Sequence, residues 1–307
     1  MKYTEKQRKL LALVDQLEKR VGSQSKVCEL VGITPGIMTP LRKGTYGGNI
    51  EAQFAKLEQY FAVKEEAAKG FQEQDFVPTS VSTRVMEYIR SAQIKGGLLP
   101  ISGDAGIGKT RAIRQFCKEN PTSCIWITAN PCLNTVKPIL KRISKALGVN
   151  ARTNDDMYME ILEKLRDGMV IIFDEAQHLS LKVIETVRGF SDYFSDRGMT
   201  LGIVFVGNSS TISRFGGKED AVFEQIANRT IQKPIFRTTD IRREDILLLY
   251  PALTGHEMET DFMLGVAQSR EGLRGANNLY GNTHDYTDGK VTYDALIEMA
   301  KQMKLTL

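Results

Sequence analysis

The 307-residue sequence predicts an α/β fold in which a parallel sheet carries helices on both faces. Between residues 97 and 236, short apolar runs rich in β-branched residues alternate with amphipathic helical patterns. Strands that are apolar on both faces are typical of parallel sheets buried between helices. Within this region, GDAGIGKT (103–110) follows one apolar run and precedes a helical pattern, as a phosphate-binding loop does.

The five strands and several helix starts can be placed from local patterns. We expect strands at GLLPIS (97–102), CIWIT (124–128), MVIIF (169–173), LGIVFVG (201–207) and TIQKPIF (230–236). Helices are expected after three capping residues, Asn134, Asp155 and Ser180. The chain then divides into a helical module (1–66), a linker (67–80), a nucleotide-binding α/β domain (81–239) and a helical lid (240–307).

Composition restricts the class of protein. Hydrophobic residues make up 42% and charged residues 25%, which is typical of a globular protein. The start is too charged for a secretory signal, and no apolar run reaches the ~18 residues of a membrane span. The four cysteines form no C-x-x-C pair, so neither a metal site nor a disulfide framework is indicated. We therefore expect no membrane partner and a cytoplasmic location, that of a bacterial host.

The phosphate-binding loop predicts ATP and Mg²⁺ as cofactors. Its three glycines allow successive N–H groups to turn towards phosphate oxygens, and the helix that follows presents its positive end to the same anion. Lys109 is expected on the β- and γ-phosphates, and the Thr110 hydroxyl on Mg²⁺. The predicted nucleotide-binding residues of this loop are Gly103, Asp104, Ala105, Gly106, Ile107, Gly108, Lys109, Thr110 and Arg111.

Polar residues at the ends of two later strands complete the predicted catalytic set. In MVIIFDEAQH, Asp174 is placed to hold Mg²⁺ and Glu175 to orient and deprotonate an attacking water. The alternative is that two carboxylates merely end a strand beside solvent. The glutamate favours a hydrolase over a kinase, which would also need an acceptor pocket. Asn208, after the next strand, is expected to hold the lytic water, or else to end the strand in a turn.

At this point residues 81–307 resemble the AAA+ ATPases. GDAGIGKT matches their Walker A motif, VIIFDEAQ their Walker B motif with its catalytic glutamate, and FVGN their sensor-1. The resemblance implies a 5-1-4-3-2 sheet, a helical lid and an oligomer in which one subunit's arginine completes its neighbour's site. That arginine is predicted at Arg229, with Arg214 in reserve, and a sensor-2 arginine at Arg274. Each could instead form an ordinary ion pair.

The amino-terminal segment 23–44 predicts a helix-turn-helix. Val27, Leu30 and Val31 form one apolar face, Gly32 supplies a turn, and Thr34 caps a second helix. Residues 1–70 hold twelve lysines and arginines against eight carboxylates, a surplus equal to the net charge of +4 of the whole chain. Phosphate contacts are expected from Lys26, Arg42 and Lys43. A three-helix protein-docking module remains the alternative, and Pro40 argues against regular recognition-helix geometry.

A helix-turn-helix, a linker and an AAA+ module with a short lid together resemble the family of the phage Mu transposition protein B, and more loosely the TnsC and IstB-type transposition ATPases. The resemblance implies an ATP-dependent protein that polymerises on double-stranded DNA and delivers this target to a transposase, which stimulates hydrolysis. The partners are then double-stranded DNA, a cognate transposase and further copies of the chain. Candidate DNA contacts are Thr128, Lys137, Lys141, Arg142 and Arg152, although any one could be an ordinary exposed residue.

Two other functions fit the same motifs. A helicase loader or replication initiator would use the ATPase module with a helicase as its partner. A nucleotide-gated transcription regulator would use the helix-turn-helix on one operator and the ATPase only to set its oligomeric state.

Overall fold

The computed structural model of the protein describes residues 3–213 and 230–305. The chain forms two compact units, Met1–Gln72 and Glu73–Leu307. No helix in the described ranges is long and apolar enough to cross a membrane.

The amino-terminal unit consists of four helices around one core. They are α1 (Glu5–Val21), α2 (Gln24–Val31), α3 (Pro35–Lys43) and α4 (Ile50–Lys69). The core contains side chains from all four helices, including Val14, Val27, Met38 and Leu57, none of which exposes any surface. Gly32 ends α2 in the left-handed conformation (φ +66°), which glycine adopts without strain, and α3 begins three residues later. The helical pair that the sequence predicts at 23–44 is thus present.

The inner face of this helical pair differs from the prediction at one position. Leu30 is 49% exposed, and the thiol-bearing Cys28 lies in the core with Val27 and Val31 instead. Pro40 is accommodated within α3, which runs on to Lys43. A proline there removes only one helical N–H donor, and in a nine-residue helix that loss falls close to the carboxyl end.

The second unit begins with α5 and alternates strands with helices before a helical tail. Its strands are β1 (Gly97–Gly103), β2 (Cys124–Thr128), β3 (Met169–Asp174), β4 (Leu201–Gly207) and β5 (Ile235–Phe236). Its helices are α5 (Ser80–Lys95), α6 (Lys109–Glu119), α7 (Val136–Leu147), α8 (Asn154–Lys164), α9 (Leu181–Ser195), α10 (Ser209–Ser213), α11 (Arg243–Leu249), α12 (Glu257–Gln268), α13 (Gly272–Tyr286) and α14 (Tyr293–Gln302).

The five strands form one parallel sheet in the order β2-β3-β4-β1-β5. This order is the predicted 5-1-4-3-2 arrangement read from the other edge, so the predicted fold class is confirmed. The central strands β3 and β4 are buried along their whole length. All five strands point the same way, so their carboxyl ends meet at one edge of the sheet, where α/β folds bind ligands.

Helices cover both faces of the sheet. On one face, Ile171 and Phe173 of β3 share a core with α7, α8 and α9. Alternate residues of a strand point to the opposite face, where α5 crosses β4. A Cβ at Gly202 would lie 2.5 Å from the Ala92 carbonyl oxygen, so a glycine is needed for α5 to approach β4 this closely.

Several element boundaries differ from the predicted ones. The caps of α7 and α8 are the threonines Thr135 and Thr153, in extended conformation, and not Asn134 and Asp155. Ser180 caps α9 as predicted, accepting a hydrogen bond from the Val183 N–H. The predicted strand 230–236 contains only the two-residue β5, with an isolated bridge between Thr230 and Leu98.

Candidate nucleotide site

The phosphate-binding loop lies between β1 and α6 at the carboxyl edge of the sheet. Gly106 (φ +76°) and Gly108 (φ +98°) adopt left-handed backbone conformations that fold the loop around the start of α6. The Lys109 Nζ donates hydrogen bonds to the Gly103 carbonyl oxygen at 2.8 Å and to that of Asp104 at 2.6 Å. Burial lowers the pKa of Lys109, with the Asp174 carboxylate opposing the shift. The lysine is therefore held within the loop, where an anionic ligand would stabilise its charge.

The loop is attached to the body of the domain through its other side chains. Ile107 is fully buried against Gly103, where a Cβ would lie 2.8 Å from the Ile107 Cδ1. Asp104 is exposed, and its Oδ2 accepts a 2.8 Å hydrogen bond from the Thr238 N–H beyond β5. Packing and hydrogen bonds within the protein thus hold the loop conformation.

Thr110 and Asp174 bring two oxygen donors together beside the loop. The Thr110 Oγ1 donates a 2.8 Å hydrogen bond to the Asp174 Oδ2, and Asp174 is only 3% exposed. Burial raises the pKa of Asp174, and the hydrogen bond from Thr110 partly offsets this effect. A hydroxyl and a carboxylate beside a phosphate loop are the hard oxygen ligands that Mg²⁺ prefers. The residues present therefore fit this ion.

Glu175 follows Asp174 in an unusual backbone conformation. Its φ of +55° lies in the left-handed region, which is uncommon for residues other than glycine and asparagine. Its N–H donates to the Asp174 Oδ1 at 3.0 Å, and its side chain is exposed. The turn at Glu175 follows the end of β3, and Glu175 lines the cavity described below.

Asn208 lies at the end of β4, but its side chain is occupied. Its Oδ1 accepts hydrogen bonds from the Ser210 N–H at 3.0 Å and from the Ser210 Oγ at 2.6 Å. The Oδ1 thereby caps the start of α10, and the role of Asn208 in holding a water stays a prediction. The amide next to Glu175 belongs to Gln177, whose Nε2 donates to the Glu175 Oε2 at 2.5 Å. Sequence analysis did not single out Gln177, since a glutamine two residues after a carboxylate has no distinctive pattern.

A cavity of about 330 Å³ connects these residues to the lid. This volume is in the range of small-molecule sites. The cavity is lined on one side by the phosphate loop, Glu175, Gln177 and Asn208, and on the other by Leu273, Arg274 and Asn277 of α13. Arg274 is an exposed residue of this lining, and its sensor-2 role stays a prediction. It lies in the first turn of the fifteen-residue α13.

The lid contacts the phosphate loop through its backbone. The Arg274 N–H donates a 3.2 Å hydrogen bond to the Gly106 carbonyl oxygen. Gly272 has a φ of +63°, and a Cβ there would lie 2.8 Å from the Ala105 carbonyl oxygen. Any side chain at Gly272 would therefore push α13 away from the loop. Sequence analysis did not predict this contact, because Gly272 and Ala105 are 167 positions apart in the chain.

A carboxylate near the start of the second unit also reaches the cavity. Glu73 forms an ion pair with Arg111, just after the phosphate loop, and accepts a hydrogen bond from the Asn277 Nδ2. The Tyr250 hydroxyl in turn donates to Asn277, and burial raises the pKa of this tyrosine. Glu73 thus joins the loop helix to the lid. It lies within the stretch that the sequence identified only as a linker.

The predicted subunit-bridging arginine cannot be placed. Arg229 and its reserve, Arg214, both lie outside the described residues.

The predicted DNA contacts of the amino-terminal unit fall into two groups. Lys26 and Lys43 are exposed, consistent with the expectation. Arg42 is not free, and its assignment needs correction. Its guanidinium, with only 21% of the side chain exposed, forms ion pairs with Asp15 at 2.7 Å and Glu18 at 2.6 Å. Two carboxylates of α1 already neutralise this arginine, so it holds α3 against α1.

The predicted DNA contacts of the second unit are all exposed. Thr128 ends β2, in register with Asp174 on the neighbouring strand. Arg152 lies in the loop between α7 and α8. On α7 itself, four exposed cations share the outer surface, and we call them the α7 cations: Lys137, Lys141, Arg142 and Lys145. None of the four forms an ion pair with any residue in the described ranges.

Comparison with known proteins agrees with this geometry. Residues 93–215 match the model of the AAA domain family. The chain is 29% identical to the Mu-like prophage FluMu DNA transposition protein B of Haemophilus influenzae, over 67% of this chain and 73% of the relative. It is 25% identical to the ATP-dependent target DNA activator B of Escherichia phage Mu, over 80% of this chain and 78% of the relative.

Among solved structures, the Cdc6p protein of Pyrobaculum aerophilum shares the fold. The TM-score is 0.54 at 13% identity, over 75% of this chain and 69% of that one. This similarity concerns the fold alone. The sequence comparisons assign an AAA domain to residues 93–215 and identify the chain as a homologue of the transposition B proteins of Mu-like phages.

Proposed function

We propose that the chain is an ATP-dependent, largely sequence-nonspecific DNA-binding ATPase that assembles on double-stranded target DNA and presents it to a transposase. The observation that carries this proposal is the set of α7 cations, on the ATPase domain of a chain related to target DNA activators. The same resemblance supports the transposase as partner and further copies of the chain as the assembly.

The arrangement of the α7 cations favours an anionic ligand. Lys137, Lys141 and Lys145 follow each other at intervals of four residues, so they lie on one stripe of the helix. Like charges at this spacing destabilise a helix by about 0.2–0.5 kcal/mol per pair. The opposite face of α7 is apolar and packs into the core through Ile139 and Ile143. The helix is therefore stable through burial, and its outer charges are free to contact phosphates.

Such contacts imply DNA binding that ignores sequence. Lysine and arginine bind phosphates through charge and release counterions, so the affinity falls steeply with salt. Phosphate contacts position a protein on the duplex but do not read its bases. This property suits a protein that must accept many target sites.

We assign the regulation of DNA assembly to the nucleotide site. Lys109 is placed to bind the phosphates, and Thr110 with Asp174 would hold Mg²⁺, which neutralises phosphate charge when bound. Glu175 is placed to orient and deprotonate the attacking water. Arg274 lines the cavity from the lid, where it can detect the terminal phosphate. We assign Arg229 to the site of a neighbouring copy. Binding of ATP would then favour assembly on DNA, and hydrolysis would end it.

This function can be tested by electron microscopy of the full chain on a long duplex of arbitrary sequence. Samples would contain ATP, a slowly hydrolysed analogue, ADP or no nucleotide, with Lys109→Ala as the control. We expect continuous coverage of the DNA with the triphosphates alone, and none with Lys109→Ala. Discrete complexes at one site, or binding that is indifferent to nucleotide, would contradict the proposal.

A further inference from the structure

We infer that Gln177 is a positioning residue for ATP hydrolysis, because its carboxamide holds the Glu175 carboxylate in place against the end of β4. The inference rests on the role proposed above for Glu175. It adds a residue that neither the sequence motifs nor the comparisons assign.

The local backbone brings the two side chains together. After the left-handed turn at Glu175, residues Ala176–His178 form a single 3₁₀ turn, closed by a 3.1 Å hydrogen bond from the His178 N–H to the Glu175 carbonyl oxygen. Ala176 is buried beneath this turn, while Glu175 and Gln177 both line the cavity. The strained φ of Glu175 is thus accompanied by a specific side-chain contact.

Both ends of the Gln177 carboxamide have partners. Its Nε2 donates to the Glu175 Oε2 at 2.5 Å, and its Oε1 accepts from the Asn208 N–H at 3.4 Å. A carboxylate can only accept and a backbone N–H can only donate, so these two contacts fix which end of the amide faces which partner. The amide therefore links the ends of β3 and β4.

The Gln177 side chain packs closely against the end of β4. A Cβ at Gly207 would overlap both the Gln177 Oε1 and the Thr211 Oγ1, so the glutamine packs directly on the strand end. The Asn208 side chain accepts hydrogen bonds from Ser210 through its Oδ1, whereas the Gln177 Nε2 donates to Glu175. Gln177 is thus the amide in contact with Glu175 among the described residues of the site.

The expected effect follows from the role of orientation in catalysis. Glu175 is exposed, and without the hydrogen bond its carboxylate could occupy several rotamers. Misplacing a reacting group by about 1 Å can cost on the order of a hundredfold in rate. We therefore expect Gln177→Ala to lower kcat roughly 10- to 100-fold. The KM for ATP should change by less than about twofold, because no nucleotide-binding group is removed.

The experiment is steady-state Mg·ATP hydrolysis by the full chain with three variants. Gln177→Ala removes both contacts. Gln177→Glu keeps an oxygen for the Asn208 N–H but cannot donate to Glu175, and it adds a like charge, so it should be at least as slow as Gln177→Ala. Gln115→Ala is the matched control, since the half-buried Gln115 also donates to a carboxylate, Glu119 at 2.7 Å, on α6. Its kcat should equal that of the wild type.

Three results would overturn the inference: a kcat for Gln177→Ala within about twofold of the wild type, a raised KM with unchanged kcat, or full activity in Gln177→Glu. Binding of a fluorescent ATP analogue to each variant shows whether the cavity is intact. Glu175→Gln separates this inference from the proposed function. If Glu175→Gln hydrolyses ATP normally, the role of Glu175 is wrong. If it is inactive while Gln177→Ala is normal, only the positioning role is wrong.

Discussion

Arg42 of α3 and the α7 cations lie on helices that the sequence analysis suggested for DNA binding. They differ in exposure and in ion pairing. Arg42 is half-buried between Asp15 and Glu18 of its own unit. The α7 cations are exposed and have no such partner in the described ranges. An arginine already paired with two carboxylates gains little from a phosphate, whereas an unpaired lysine exchanges only its counterions. The comparison therefore favours the α7 cations over Arg42 as the phosphate contacts of the proposed function.

We expect the largest effect on DNA affinity from removal of the α7 cations. Replacing Lys137, Lys141, Arg142 and Lys145 by alanine should lower affinity for duplex DNA by about 100-fold, because four phosphate contacts are removed. The slope of log affinity against log salt should become shallower by roughly 3 to 4. Fluorescence anisotropy with a labelled duplex measures both quantities.

The control for that variant is Lys118→Ala, an exposed lysine near the end of α6. It should leave the affinity and the salt slope unchanged. If Lys118→Ala lost a quarter of what the four-residue variant loses in log affinity, the DNA affinity would reflect overall charge and not the α7 cations. ATP hydrolysis without DNA should be normal in both, since neither set contacts the nucleotide cavity.

A smaller effect is expected where the lid meets the phosphate loop. Gly272→Ala should weaken ATP binding by about tenfold, because the added Cβ would press on the Ala105 carbonyl oxygen and displace α13, and such overpacking costs roughly 1–3 kcal/mol. DNA binding without nucleotide should be unchanged. Isothermal titration with a slowly hydrolysed analogue measures this loss.

Gly148→Ala provides the matched control for Gly272→Ala. It has a similar φ (+72°) at the end of α7, but open space around the added Cβ. It should lower stability a little and leave nucleotide affinity intact. If Gly148→Ala weakened ATP binding equally, the loss at Gly272 would come from backbone strain and not from displacement of the lid.

We expect the smallest effects from single substitutions of Arg42 and Lys43 in α3. Arg42→Ala should lower the free energy of unfolding of the amino-terminal unit by about 1–2 kcal/mol, since it breaks two ion pairs of a half-buried side chain. Its DNA affinity should change less than about threefold. Lys43→Ala should do the reverse, with unchanged stability and a loss of a few-fold in affinity. Thermal unfolding and anisotropy of both variants decide between the two assignments. The opposite pattern would restore Arg42 as a DNA contact.

The sequence predicted the sheet well and the site contacts only in part. The strands at 124–128 and 201–207 have the predicted bounds because uninterrupted apolar runs ending in a turn leave little choice of register. The strand at 230–236 failed because Pro234 lacks an N–H for the ladder. The motif glycines, Lys109 and Asp174 meet because they follow or end β1 and β3, whose carboxyl ends lie at the same edge of the parallel sheet with β4 between them.

The residues that were missed, Gln177, Glu73 and Gly272, act through contacts that depend on the fold. A glutamine, a linker glutamate and a helix-start glycine are common residues with no spacing rule. Arg42 was misassigned for a related reason, since its partners Asp15 and Glu18 lie on another helix. A charged side chain can contact DNA only if no other residue already pairs with it. Such pairing across helices cannot be read from the local sequence pattern.

In the proposed function, nucleotide binding at the cavity controls the DNA affinity of the same domain. The most direct test is the affinity of the full chain for two unrelated duplexes, measured with a slowly hydrolysed ATP analogue and with ADP at several salt concentrations. We predict binding at least tenfold tighter with the analogue, similar on both sequences and steeply weakened by salt. Equal affinity with both nucleotides, or a strong preference for one duplex, would contradict the account.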